Sequence, residues 1–123
     1  MRATRPYAEW SADEQARWID AADIFGRHLR ESSRDYAFEK IPASASDEAK
    51  AVAKEAVLDA LYGVMMVLEG IPRNDIDSEH WLRYVLSARV RDRHGATLET
   101  IELSPDGDGL CMSYHGWLID DFE

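Results

Sequence analysis

The residues of this chain best suited to covalent chemistry are its single cysteine and the histidine four residues later. Cys111 and His115 could supply a thiol nucleophile and its base, with Asp120 orienting the imidazole. In a β-strand, residues 111 and 115 would share one face of the sheet. No neighbouring basic cluster favours the thiolate, and a lone cysteine alternating with apolar residues usually behaves as a small hydrophobe. We therefore predict a structural role for Cys111.

The remaining candidates for metal or cofactor chemistry are weak. The four histidines are far apart, and no HxxxH, HExxH or CxxC spacing is present. The turn Asp106-Gly107-Asp108-Gly109 resembles half of a calcium loop, but the closing glutamate would fall at Trp117. The sequence also has no glycine-rich phosphate loop and no GxSxG motif. It predicts no catalytic residue, no metal and no cofactor.

Acidic side chains are the dominant chemical feature. The chain has 24 acids against 14 bases, a net charge of −10, and no lysine or arginine follows His94. This balance argues against nucleic acid or an anionic membrane as the partner, since both require a basic surface. Acidic surfaces can serve solubility alone, but aromatic anchors ringed by carboxylates are typical of a protein-binding face. We predict such a face, for a basic protein, from Glu102, Asp106, Asp108, Tyr114, Trp117, Asp120, Asp121 and Glu123.

One long predicted helix, over residues 46–69, must position the elements that carry this face. Apolar residues recur in it at three- and four-residue spacing, Ser46 can cap its start, and Gly70 with Pro72 ends it. The run Ala60–Leu68 carries no charge, so we expect it to be covered on most sides. It is about half the length of a membrane span, which needs about 20 apolar residues. Gly63 within it predicts a close packing contact.

The other predicted elements are a first helix and three strands. A capping box at Ser11 starts the first helix, which ends near Ser33 and is followed by an irregular apolar strap closed by Pro42. After Gly70 the hydrophobic period becomes two, which predicts strands over 82–90, 97–103 and 110–114, although residues 78–83 could instead start a helix. In the second strand, Glu99, Ile101 and Leu103 share one face, while Leu98, Thr100 and Glu102 share the other.

Together these elements predict one α+β domain over residues 1–123. Its N-terminal helical hairpin packs on a three-stranded antiparallel β-meander, and a short C-terminal helical turn completes it. The N-terminus lacks the apolar segment of a signal peptide, and a single cysteine suits a reducing compartment. We therefore expect a cytoplasmic protein.

Three stretches carry a resemblance to a known class of proteins. The segments YVLSARVRD, TIELSPDGDGLCM and YHGWLIDDF, in about the last third of the chain, resemble small acidic bacterial immunity proteins of polymorphic and contact-dependent toxin systems. The resemblance implies a cytoplasmic, non-enzymatic protein that binds one toxin domain tightly, often by occluding a nuclease site.

Three functional hypotheses follow from the sequence. The first is a non-enzymatic protein-binding domain, an immunity protein that neutralises a basic toxin domain by occlusion. The second is a small-molecule-binding or enzymatic domain, with a pocket between the Met65–Met66 region and the sheet, near Cys111 and His115. The third is a homodimeric assembly module that pairs through an exposed apolar face.

Overall fold

A computed structural model describes residues 5–70, 74–104 and 109–118, and for residues 74, 109, 111, 112, 115 and 118 it describes the backbone only. The architecture is α+β, as the sequence predicted. In chain order the elements are α1 (Glu14–His28), α2 (Tyr36–Glu39), α3 (Asp47–Glu69), β1 (Asn74–Asp75), β2 (Trp81–Leu82), β3 (Ser87–Arg91), β4 (Thr97–Glu102) and α4 (Gly109–Leu118).

The first helix is longer than its sequence signals predicted. Its N-cap is Asp13, whose carboxylate accepts a hydrogen bond from the Ala16 N–H at 2.9 Å. Helical backbone then continues from α1 through a π-helical segment, Leu29–Asp35, into α2. The expected end near Ser33 and the irregular strap after it are therefore wrong. No proline or glycine interrupts residues 27–41, so nothing in the sequence stops the helix there.

The long central helix, α3, has the predicted ends. The Ser46 hydroxyl accepts a hydrogen bond from the Ala49 N–H at 3.1 Å, and Gly70 closes the helix in the left-handed conformation with φ 73°. Its apolar half is not covered on most sides, however, because Val64 and Val67 are exposed. No described atom lies within 4 Å of the position that a Cβ on Gly63 would occupy, so the expected close contact is absent from the described chain.

The strands form two separate antiparallel pairs rather than a three-stranded meander. β1 pairs with β2, and β3 pairs with β4 in a register that places Ala88 opposite Ile101 and ends in a bulge near Arg91. The predicted strand over 82–90 is divided, because residues 83–86 leave the ladder between β2 and β3. In β4 the predicted faces are confirmed: Ile101 lies inward and is half-buried, while Leu98, Thr100 and Glu102 are exposed.

The predicted third strand is a helix, α4, and it forms the centre of the core. Leu110, Tyr114 and Trp117 are spaced four and three residues apart, which places them on one helix face, and each is at most 2% exposed. α4 packs against both α1 and α3. A short apolar run satisfies strand and helix periods equally well, so burial between two helices decided its conformation. Among the described side chains, the other buried apolar residues are Ala21, Ala22, Met65 and Leu103.

Polar contacts fix α4 in this position. The Tyr114 hydroxyl donates a hydrogen bond to the Leu58 carbonyl of α3 at 2.6 Å, and the Trp117 indole N–H donates to the Asp23 carboxylate of α1 at 3.3 Å. Gly26 allows the close approach, because any side chain there would collide with the Trp117 ring. None of the helices described is long and apolar enough to cross a bilayer.

Candidate protein-binding surface

The two aromatic anchors predicted for the docking face lie in the core. Tyr114 and Trp117 are each 2% exposed, and both donate hydrogen bonds to neighbouring helices. This corrects their assignment as contact residues, because a ring buried between α1 and α3 offers no area to a partner. Burial raises the pKa of the Tyr114 hydroxyl, with a smaller contribution from the charge of Asp59.

Of the carboxylates predicted for that face, the structure describes one. Glu102 is exposed on the outer face of β4, opposite Ser87. The other five, Asp106, Asp108, Asp120, Asp121 and Glu123, lie outside the described residues. The side chains of Cys111 and His115 are also outside the description, although their backbone is helical rather than extended. Their structural and pocket roles therefore stay predictions.

Glu99, which belongs to the same acidic part of the chain, is engaged within the fold. The Tyr7 hydroxyl and the Arg17 guanidinium both donate hydrogen bonds to its carboxylate, and the Arg17 Nε–Oε2 distance is 3.3 Å. Arg17 also donates to the Ser11 carbonyl at 2.8 Å. The hydrogen bonds from Arg17, and then Tyr7, lower the pKa of Glu99. This carboxylate therefore holds the N-terminal segment and α1 against β4.

Among the described residues, five large apolar side chains are exposed in a different place, the segment 75–85, which runs from the end of β1 through β2 to the residues after it. We call this segment the hairpin surface. Trp81 is 52% exposed and Tyr84 45%. The other exposed apolar residues of the segment are Ile76, Leu82 and Val85. The sequence prediction turned Leu82 and Tyr84 inward on a half-buried strand, and this is wrong because the segment is not part of the β3–β4 ladder.

Carboxylates are interleaved with these apolar residues. Asp75, in β1, and Asp77 and Glu79, in the turn between β1 and β2, are all exposed. One oxygen of Asp77 accepts a hydrogen bond from the Glu79 N–H at 2.8 Å and lies 2.8 Å from Nδ1 of His80. These bonds, led by the one from the Glu79 backbone, lower the pKa of Asp77. The turn therefore presents fixed negative charge beside the aromatic residues.

A set of hydrogen bonds centred on Arg83 holds the hairpin surface against the rest of the fold. The Arg83 guanidinium donates to the Leu68 carbonyl at 2.7 Å, near the end of α3, and to the Ser104 carbonyl at 2.5 Å. The Ser104 hydroxyl, which is buried, accepts a hydrogen bond from the Leu86 N–H at 2.7 Å. A cation at a helix C-terminus is also favoured by the helix dipole. These hydrogen bonds hold the segment that bears the exposed rings in place. A surface held in this way loses less conformational entropy when a partner binds to it.

A signal for this surface was present in the sequence. The run from Tyr84 to Leu86 places three apolar residues in succession, which breaks the alternation that a half-buried strand requires. Exposed Trp81 and Tyr84 close to Asp77 and Glu79 form the same combination of aromatic and acidic residues that was assigned to the C-terminal part of the chain.

No protein-family model matches this chain, and no curated protein or solved structure is significantly similar to it. Within the described residues, no group of three or more His, Cys, Asp or Glu side chains is arranged to hold a metal ion. The described surface of residues 75–85 presents exposed aromatic rings and exposed carboxylates in the same segment.

Proposed function

We propose that this protein is a non-enzymatic binding domain that captures a basic protein through the hairpin surface. The observation that carries the proposal is the exposure of Trp81 and Tyr84 beside the carboxylates of Asp77 and Glu79. Tryptophan and tyrosine are the residues most enriched among those that dominate binding energy at protein interfaces. Exposing large aromatic side chains together to water is unfavourable, and a partner that covers them removes this apolar surface from water.

The charge of the chain specifies the partner. A net charge of −10 repels acidic proteins and accelerates encounter with basic ones, and the effect reaches about 10 Å at ordinary salt. The carboxylates of the turn precede the exposed rings by a few residues in the chain. Charges at the edge of an interface steer association and fix orientation. The partner is therefore a protein with a basic face that surrounds an apolar pocket.

The resemblance to immunity proteins supplies the biological setting of the proposal. An acidic domain that covers a basic, substrate-binding face of a toxin would block access of nucleic acid by occlusion alone, because the same basic groups serve both ligands. It would act in the cytoplasm, where such a toxin meets its substrate. No catalytic group of the binding domain is needed for this mechanism.

The proposal requires a toxin domain encoded by a neighbouring reading frame, and the absence of such a frame would contradict it. The test uses that domain, purified in an inactive form, with association and dissociation followed by surface plasmon resonance. Trp81→Ala should increase the dissociation rate constant by about tenfold or more, because it removes a central anchor. Tyr36→Ala is the matched control, since Tyr36 is an aromatic residue 58% exposed on α2. Equal dissociation rates for the two variants, or no binding by the wild type, would contradict the proposal.

A further inference from the structure

The central helix α3 has an apolar face that the described chain does not cover. At about 100° per residue, the residues of this face fall within an arc of about 120°. Val52 is 63% exposed, Val64 50% and Val67 38%, and Ala56 and Ala60 are exposed between them. We call this the α3 valine face, and its members are Val52, Ala56, Ala60, Gly63, Val64 and Val67; Ala49 and Ala53 fall within the same arc nearer the start of the helix.

The position of this face on the helix is unusual. It lies roughly opposite Met65, which is 1% exposed and points into the core. A surface helix normally places charged residues on the side away from the core, yet every residue of α3 within this arc is alanine, valine or glycine. No described atom lies within 4 Å of a Cβ built on Gly63, so another backbone can approach closely there.

Charge distinguishes the two edges of the α3 valine face. Glu48, Glu55 and Asp59 are exposed along one edge, within about 40° of each other around the helix. The opposite edge carries Lys50 and then the apolar residues Val57 and Leu68. An occupant that matches this pattern has an apolar face with basic residues along one side.

A second copy of this chain would fit the α3 valine face poorly, because its charges would repel those of the first copy. In a two-fold antiparallel pair of α3 helices, the same edge of each helix meets its copy, which would bring Glu55 and Asp59 of both chains together. A net charge of −10 on each chain adds to the repulsion.

We infer that the α3 valine face binds an amphipathic helix of a basic protein, with lysine or arginine along the edge that meets Glu55 and Asp59. The distance from Val52 to Val67 is about 22 Å, which corresponds to about four turns of the bound helix. This inference rests on the proposed function and identifies the structural class of the partner. The hairpin surface is held at the C-terminal end of the same helix, because Arg83 donates a hydrogen bond to the carbonyl of Leu68.

The probes are two synthetic helical peptides of about four turns that share one alanine- and leucine-rich face. One carries lysines along the edge of that face, and the other carries glutamates at the same positions. The lysine peptide should shift the amide NMR resonances of residues 52–67 and bind at least tenfold more tightly than the glutamate peptide at low salt. Absence of binding by the lysine peptide, equal binding of both peptides, or shifts confined to other residues would overturn the inference.

Three variants distinguish binding at the α3 valine face from a general effect of charge. Ala60→Glu places a carboxylate at the centre of the face and should reduce lysine-peptide binding more than tenfold, with an unchanged circular dichroism spectrum, because Ala60 is exposed and glutamate favours helix. Thr100→Glu makes the same charge change on the outer face of β4 and should leave binding unchanged. The double variant Glu55→Lys with Asp59→Lys should reverse the preference between the two peptides. Failure of any of these three results would contradict the proposed docking site.

The oligomeric state tests the alternative occupant. Sedimentation equilibrium should show a monomer, and a dimer that Ala60→Glu dissociates and Thr100→Glu does not would assign the face to a second copy. The proposed function is tested separately by the effect of Trp81→Ala on toxin binding. If Trp81→Ala weakens that complex while Ala60→Glu affects neither the complex nor the peptide, only the inference on α3 fails.

Discussion

At the scale of single residues, Trp117 shows how little residue type alone says about exposure. Among acidic neighbours it is typical of a binding anchor, yet it is buried because Gly26 on α1 leaves space for its ring. Trp81, with similar neighbours, is exposed because the hairpin surface has no helix above it among the described residues. Gly26, which makes room for the Trp117 ring, lies about 90 residues away from it in the chain, so the sequence around Trp117 could not reveal that this ring is buried.

The first prediction at this scale concerns Gly26. Gly26→Ala should lower the free energy of unfolding by about 1–3 kcal/mol, because the added methyl group forces the Trp117 ring and its hydrogen bond to Asp23 to move. Gly63→Ala is the matched control, because that position is open and alanine favours a helix by about 1 kcal/mol. Urea denaturation of both variants should therefore show opposite changes, and equal midpoints would contradict the packing described for α4.

The second prediction concerns the carboxylate of Glu99. Hydrogen bonds from Arg17 and Tyr7 lower the pKa of Glu99 in the folded protein, so the ionised carboxylate stabilises the fold. This stabilisation is lost as the pH falls below the ordinary pKa of 4.5 and then through the lowered pKa of the folded state. Glu99→Gln should therefore be less stable than wild type at pH 7, and the difference should disappear in acid. Urea titrations across this range measure it. Glu102→Gln removes one carboxylate from the exposed face of β4 and is the matched control. A pH-independent deficit for Glu99→Gln would contradict the role assigned to Glu99.

At the scale of elements, the sequence predicted what local signals control. Both ends of α3 follow from a capping serine and a left-handed glycine, and the two faces of β4 follow from simple alternation. The π-helical extension of α1 and the helix α4 could not be predicted in the same way. The residues of α4 begin as a short apolar run that fits both a strand and a helix, so only packing against α1 and α3 distinguishes the two.

The third prediction compares the two faces of α3. Met65→Ala should cost about 2–5 kcal/mol of unfolding free energy, because it leaves a cavity where the side chain is 1% exposed. Val67→Ala, on the α3 valine face, should change stability by less than about 0.5 kcal/mol, since surface substitutions seldom do more. Guanidinium denaturation of the two variants gives the comparison. A large cost at Val67 would mean that the valine face is covered within the folded chain.

At the scale of the whole molecule, the arrangement of charge matters more than its total. The acidic residues of the described chain include one held within the fold, Glu99, and others presented beside exposed apolar groups, Glu79 and Glu55. Composition revealed the net charge but not this division. The sequence prediction placed the aromatic residues among carboxylates at Tyr114 and Trp117. The structure buries both of these rings and instead exposes aromatic residues among carboxylates at residues 75–85.

The last prediction separates placed charge from total charge. Glu79→Lys and Glu39→Lys each change the net charge from −10 to −8, but only Glu79 lies beside Trp81 and the turn carboxylates, whereas Glu39 ends α2. Glu79→Lys should slow association with the basic partner severalfold, with little change in dissociation, because rim charges act mainly on encounter. Glu39→Lys should have a smaller effect, and raising the salt concentration should reduce the difference between the variants. Stopped-flow association rates at two ionic strengths measure both effects. Equal slowing by the two substitutions would show that total charge steers the partner, and that the carboxylates of the hairpin surface have no special role in binding.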